Sequence, residues 1–275
     1  MLSLTQAAAK SSNDFQILPD LFPSLAHEGI RFRRGQLTMI AGQPNAGKSL
    51  FALWIAVHMK VPTLYISADT DAYTTAIRAS AMVTGHTTNT VEEAFTTGDG
   101  KDFYESELAT LTHLQFDFAP SPTLDEVDLA IRAYAESYGE YPHVIIVDNA
   151  MNVVSMQGDE WSGLREIAKA MHHIARETDA AVLLLHHTSE AEGKADMPPS
   201  RKSIQGKIAQ LPEMILTVAL VSDTGEYRVA AVKNRFARNS PTGEHFVTLW
   251  SDASRMSLYS DRAAQAISQS WRSMQ

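Results

Sequence analysis

The chain reads as a single α/β domain: a mostly parallel sheet flanked by helices, with an antiparallel extension toward its C-terminal end. Three observations point to this. Short apolar runs alternate with stretches of helical periodicity, a glycine-containing turn joins the first run to a helix, and the last third is a series of strands separated by turn tripeptides. The length of 275 residues suits one large domain, and 44% hydrophobic with 20% charged residues is a globular composition.

Taken in order, residues 1–20 form a lead-in broken by Ser11, Ser12, Asn13 and Asp14. Residues 37–40 are the first strand, ending in Ala41-Gly42. Phe51, Leu53, Trp54, Ile55, Val57 and His58 then predict a largely buried helix. Residues 63–67 (TLYIS) form a second buried strand. Residues 71–112 are helical in pattern, interrupted at Gly85 and at Gly98-Asp99-Gly100. Residues 114–118 make a third strand. Thr123 with Glu126 forms a capping box ahead of Leu124, Val127, Ile131, Tyr134 and Tyr138, which recur at helical spacing. A fourth strand, 144–147, is closed by Asp148. Leu164, Ile167, Met171 and Ile174 mark another helix, and 181–185 is a fifth strand. Strands at 213–221, 226–233 and 245–250 follow, with turns at Asp223-Thr224-Gly225 and Pro241-Thr242-Gly243. The expected domain covers 21–258, and 259–275 is a tail.

Composition narrows the function classes. A net charge of −9 argues against a protein coated by nucleic acid, while leaving room for a local basic track. The absence of cysteine removes disulfides and thiolate metal sites. No apolar run approaches the roughly 20 residues that span a bilayer, and the N-terminus has no secretory pattern. A cytoplasmic protein without membrane partners is expected.

The most specific signal is Gly42-Gln43-Pro44-Asn45-Ala46-Gly47-Lys48-Ser49, followed by Leu50, which fits G-x-x-x-x-G-K-[ST] between a strand and a helix. The glycines let successive backbone N–H groups wrap phosphate oxygens, and the helix adds its positive N-terminal end. Lys48 is placed to reach the β- and γ-phosphates and Ser49 to hold Mg²⁺. Asp148 ends an apolar strand at the sheet edge where ligands bind in open α/β folds, and suits Mg²⁺ as well; capping the following turn is its alternative role.

Together these positions resemble the RecA-like ATPases, in particular the DnaB-type replicative helicases and their RepA-like relatives. The likeness runs from residue 14 to about 250. It is carried by Ala41 through Leu53, by Ser67-Ala68-Asp69 where the family has Ser-x-Glu, and by Gly98. It continues through strand 114–118, Val144-Ile145-Ile146-Val147-Asp148, Leu184-Leu185-His186-His187, Lys233-Asn234-Arg235 and Pro241-Thr242-Gly243.

The resemblance implies ATP and Mg²⁺ as cofactors and a hexameric ring acting on single-stranded or forked DNA, with replication or loading proteins as partners. It places Asp69 where the family keeps the glutamate that activates the attacking water. Aspartate is shorter by roughly 1.3–1.5 Å, a loss that slows hydrolysis, and Asp69 could instead cap the helix beginning at Thr70. His187 takes the place of the γ-phosphate sensor, with His186 expected on the opposite strand face. Lys233 and Arg235 fall on the family's trans-acting fingers, and their spacing turns both to one side of a strand.

Residues 188–212 hold little apolar pattern, and within 194–207 Lys194, Arg201, Lys202 and Lys207 face only Asp196, a local excess suited to phosphates. By resemblance this is the channel loop, with Arg201, Lys202 and Lys207 on DNA and Gly206 on a motif glycine. A second loop, 149–160, carries Asp159 and Glu160 against that role. With about twenty residues ahead of the core, the chain resembles a bare motor domain. A non-motor RecA-like ATPase of recombination or regulation is the alternative. A further one is a metal-dependent nuclease using Asp69, Asp71, Asp148 and His187.

Overall fold

In the computed structural model, which describes residues 16–157, 159–189, 196–204 and 208–266, the chain begins with α1 (Pro23–His27), β1 (Leu37–Gly42), α2 (Lys48–Met59) and β2 (Thr63–Ser67). Three helices follow: α3 (Ala72–Thr84), α4 (Thr88–Thr97) and α5 (Lys101–Leu108). Then come β3 (Leu114–Asp117), α6 (Leu124–Tyr138), β4 (Val144–Asp148), α7 (Glu160–Thr178) and β5 (Ala181–His187). The described chain closes through β6 (Met214–Val221), β7 (Glu226–Asn234), β8 (Val247–Asp252) and β9 (Ser257–Tyr259).

These strands form one sheet in the order β3-β2-β4-β5-β1-β6-β7-β8-β9. The first six in that order run parallel, and β7, β8 and β9 continue it antiparallel. The parallel strands are buried on both faces, which is why they read as unbroken apolar runs. One face carries Ile40, Tyr65, Ile146, Leu183 and Leu185 against α2 and α3, through Phe51, Ile55 and Met82. The other carries Met39, Ile66, Ile145 and Leu184 against α6 and α7, through Ile131, Ile167 and Met171.

The helix ends follow local chemistry. Thr123 and Glu126 exchange hydrogen bonds in a complete capping box at α6. Asp71, not Asp69, caps α3 by accepting from the Thr74 N–H at 2.9 Å. Gly85 and Gly98 terminate α3 and α4 in the left-handed region, where their lack of Cβ costs nothing.

Most strand boundaries shift by one or two residues from the sequence expectation. β5 continues two residues further, to His187, because β1 runs on to Gly42 and pairs Ala41 with His186 and Gly42 with His187. β8 starts at Val247 rather than 245. The short β9 has no counterpart in the sequence reading; it forms by antiparallel pairing with β8 after a tight turn, a stabilisation that its own residues do not announce. The lead-in up to residue 15, the tail from 267 and the segments around Lys194 and Lys207 lie outside the described residues.

His186, as expected, turns away from His187. It shares the β5 face of Leu184, is fully buried, and neither ring nitrogen has a hydrogen-bond partner among the described residues. Burial, helped by the nearby His187 and Lys48 charges, pushes the imidazole down to about 4. Since the unfolded chain binds this proton below the ordinary histidine range and the fold does not, stability is full above about pH 6.5 and falls toward pH 4. His186→Leu should therefore flatten stability between pH 6.5 and 4 by up to about 1.4 kcal/mol per pH unit. Urea unfolding of both proteins at several pH values measures the difference, and parallel curves would refute the assignment.

Candidate functional site

The site follows from the register of the parallel strands. Gly42 ends β1 beside His187 of β5, Ser67 of β2 lies beside Asp148 of β4, and Val147 pairs with Leu184, so the carboxyl ends of four strands meet at one edge. The Ala68 and Asp69 N–H groups donate to the Asp148 carbonyl at 2.8 and 3.2 Å, drawing the end of β2 across β4.

Between β1 and α2 the turn is held by left-handed backbone at Asn45 (φ 61°) and Gly47 (φ 79°). A Cβ on Gly47 would stand 2.8 Å from the Tyr227 ring, and the Tyr227 hydroxyl donates to the Gly47 carbonyl at 3.1 Å. Glycine is required there both by conformation and by space.

The Lys48 ammonium lies inside this turn and donates to the carbonyls of Gly42 (3.2 Å) and Gln43 (2.9 Å) and to His187 Nδ1 (3.1 Å). Burial lowers it to about 8, opposed by the charges of Asp148 and Asp69. Accepting from Lys48 at Nδ1 leaves the His187 proton on Nε2. The Asn149 amide oxygen is occupied by the Met151 N–H (2.9 Å), so its NH₂ faces Nε2 at 3.4 Å, a contact between two donors. The Nε2–H is thereby left for an acceptor in the cavity. Burial and the Lys48 charge both lower the His187 pKa, which favours this neutral ring.

Asp148 is buried, which raises its pKa; hydrogen bonds from Ser49 and from Tyr65 oppose the rise. The Tyr65 hydroxyl donates to Asp148 Oδ2 at 2.7 Å. Asp69 is exposed and lines the same cavity of about 410 Å³ as Lys48, Ser49, Asp148 and His187. With the cap at Asp71 this separates the two readings of Asp69: it is free of helix capping and faces the site. Asp71 itself does not line the cavity, and among the described residues no three His, Asp or Glu side chains converge to hold a metal. Of the four residues that suggested a nuclease, Asp69, Asp148 and His187 line the cavity and Asp71 does not.

Pro44, Asn45, Gly47 and Leu50 line the cavity, whereas Gly42, Gln43 and Ala46 do not. Arg78 and Met256 are additions to its lining, and Tyr65 is an addition behind Asp148. Arg78 reaches in from α3, its guanidinium 3.4 Å from the Thr70 hydroxyl, and Met256 closes one side from the β8–β9 turn. Arg78 stands seven residues after the Asp71 cap, two helical turns along one face, a spacing that could have suggested it. Tyr65 inside a buried strand and Met256 far along the chain carry no such mark.

Lys233 and Arg235 are elsewhere. The pairing of Thr38 with Met214, and of Met214 with Asn234, puts them at the opposite end of the sheet, beside the start of β1. β1 runs five steps from Leu37 to Gly42, about 17 Å at roughly 3.3 Å per residue. Arg235 lies just beyond β7 rather than on it, yet both side chains turn to the 209–213 segment, Lys233 donating to the Ala209 and Gln210 carbonyls (3.0 and 2.7 Å). Arg201 and Lys202 are exposed on a single 3-10 turn, with the Arg201 N–H donating to Pro241 O at 2.9 Å. Lys207 and Gly206 fall outside the described residues.

The residues present fit a magnesium nucleoside triphosphate. The turn offers N–H groups and a buried ammonium for phosphate, and Ser49 with Asp148 form the hard oxygen pair Mg²⁺ prefers. Lys48 and Arg78 balance Asp69 and Asp148, so the polyanion enters without net repulsion.

A family profile described as AAA domain matches residues 23–193. The Gene 65 protein of Mycobacterium phage L5 is 37% identical over 238 residues, 84% of this chain and 88% of that protein. A solved structure described as an ATPase domain superposes with a TM-score of 0.79 at 15% identity, covering 94% of this chain and 97% of that one. A DnaB-like replicative helicase, described with its interactions with primase, superposes with a TM-score of 0.79 at 14% identity, covering 94% and 67%. The chain therefore belongs to the AAA domain family, and its fold is that of a DnaB-type, RecA-like P-loop ATPase domain.

Proposed function

We propose that the protein is an ATP-hydrolysing, ring-forming motor that moves on single-stranded or forked DNA. The observation that carries this reading is the division of its charged machinery. Lys48, Ser49, Asp148, Asp69 and His187 surround one cavity, whereas Lys233 and Arg235 are displaced along the sheet; in this reading they serve a nucleotide on a neighbouring copy. Such head-to-tail use of two different surfaces closes into a ring when the rotation allows.

In this reading Lys48 and the N–H groups of residues 45 and 47–49 hold the β- and γ-phosphates, and Ser49 and Asp148 hold Mg²⁺. When bound, the ion neutralises developing charge on the leaving phosphates. Tyr65 fixes one oxygen of Asp148, and the Ser49 hydroxyl bonds the same carboxylate. Asp69 orients a water for attack, and the His187 Nε2–H donates to the γ-phosphate. Because His187 also accepts from Lys48, a ligand that draws Lys48 away from Nδ1 changes what the ring can donate, which suits a sensor. Arg235 and Lys233 of the adjacent subunit complete the charge stabilisation. Arg201 and Lys202 contact DNA phosphates. The shorter carboxylate at Asp69 favours a slow motor, or an ATPase whose turnover controls assembly.

Lys48→Ala should lower ATP turnover about 100-fold or more, as loss of a principal phosphate donor does, measured by phosphate release; unchanged turnover would refute the site. Arg201→Ala with Lys202→Ala should weaken single-stranded DNA binding and reduce the log–log salt slope by about 1.4, two contacts at roughly 0.7 each. An unaltered slope would clear the turn of DNA contact. Strand displacement on a forked duplex with ATP tests motor action itself. Hydrolysis without displacement would favour the non-motor ATPase.

A further inference from the structure

Glu213 is a buried carboxylate that the nucleotide site does not use. It precedes β6, is 3% exposed, and its two oxygens are divided between two tasks. Oε2 accepts from the Leu37 N–H at 3.1 Å, at the start of the strand that leads to the phosphate turn. Oε1 faces three basic side chains: His172 Nε2 at 3.1 Å, Arg235 at 3.4 Å and Arg176 at 3.7 Å. The backbone repeats the link, with the Glu213 N–H donating to Leu37 O (3.0 Å) and the Arg235 N–H to Glu213 O (3.1 Å).

A purely structural carboxylate would bury its partners with it. Here the Arg235 side chain remains 50% exposed, with one side-chain N–H engaged by the described residues. A buried acid holding an exposed guanidinium is a mount: it fixes position without consuming the donors. Lys233 is mounted similarly, by the Ala209 and Gln210 carbonyls four and three residues before Glu213.

We propose that Glu213 is a positioning residue for Arg235, setting the guanidinium that completes the nucleotide site of the neighbouring subunit. This rests on the reading of Lys233 and Arg235 as trans-acting groups. Through Leu37 the same carboxylate touches the root of its own phosphate-binding strand, so each subunit's presented arginine is registered to its own β1.

Glu213→Gln keeps the shape and an acceptor for the Leu37 N–H but removes the charge that holds Arg235. Hydrolysis should fall about 10-fold or more, part of the roughly 10³–10⁵ an arginine finger contributes, while affinity for a fluorescent ATP analogue stays within about two-fold. The decisive readout is mixing. Glu213→Gln subunits have an intact phosphate turn, and Lys48→Ala subunits have a correctly mounted arginine, so the mixture should hydrolyse faster than either alone. Arg235→Ala mixed with Lys48→Ala is the control. If Arg235→Ala is rescued and Glu213→Gln is not, Glu213 acts only within its own subunit and the proposal is overturned. If neither is rescued, the shared-site reading fails and takes the proposal with it. Wild-type rates for Glu213→Gln also overturn it. Should Glu213→Gln lose the native melting transition, Glu213→Asp replaces it. That variant keeps the charge but withdraws by about 1.5 Å, and the same mixing outcomes apply.

Discussion

The parallel register of β1, β4 and β5 is the constraint from which the site follows. Once Gly42 lies beside His187 and Val147 beside Leu184, the residues closing these strands must share one edge of the sheet. A slip of one residue would turn every side chain to the other face, exchanging His187 for His186 and burying the polar edge among leucines. The register is secured by the two apolar faces, each strand placing alternate residues against α2–α3 or α6–α7. Function here is thus a by-product of core packing: the hydrophobic effect sets the strands, and the strand ends carry the chemistry.

The electrostatics of the edge are balanced internally. Lys48 is buried yet fully partnered by two carbonyls and an imidazole, and Asp148 by a tyrosine and a serine hydroxyl. Neither charge is left bare, so the site is preorganised at modest cost. His186 is the contrast. It is buried with no hydrogen-bond partner among the described residues, immediately behind His187, and is tolerated because its neutral form dominates at ordinary pH. The opposite end of the sheet repeats the buried arrangement with Glu213, around which the basic groups at that end gather. The two ends are tied by β1 itself, which begins at the Glu213 carboxylate and ends at the phosphate turn.

Much of this was legible in the amino-acid order, because the relevant physics is local. The phosphate turn needs glycine at a left-handed position, a lysine at the helix start and an apolar strand before it, all close together in the chain. Buried parallel strands announce themselves as continuous apolar runs, and the capping box at Thr123 needs only residues three apart. Asp148 and His187 were visible as polar residues closing such runs. Asp69 was ambiguous, since capping and catalysis demand the same side chain at a helix start; Asp71 taking the cap removes the first of these readings.

Tertiary structure alone decided which distant residues meet. Tyr65 under Asp148, Met256 beside the phosphate turn and Glu213 at the root of β1 lie far along the chain from their partners, and no periodicity encodes such contacts. It also decided that Lys233 and Arg235 stand about 17 Å of strand from their own chain's cavity, a distance set by the antiparallel return of β7 along β6. Sequence alone determined most of the elements and the phosphate-binding turn, through propensity and pattern. Which strand ends face one another, and which charges are held apart, depends on burial against both faces of the sheet, a cooperative property of the folded chain.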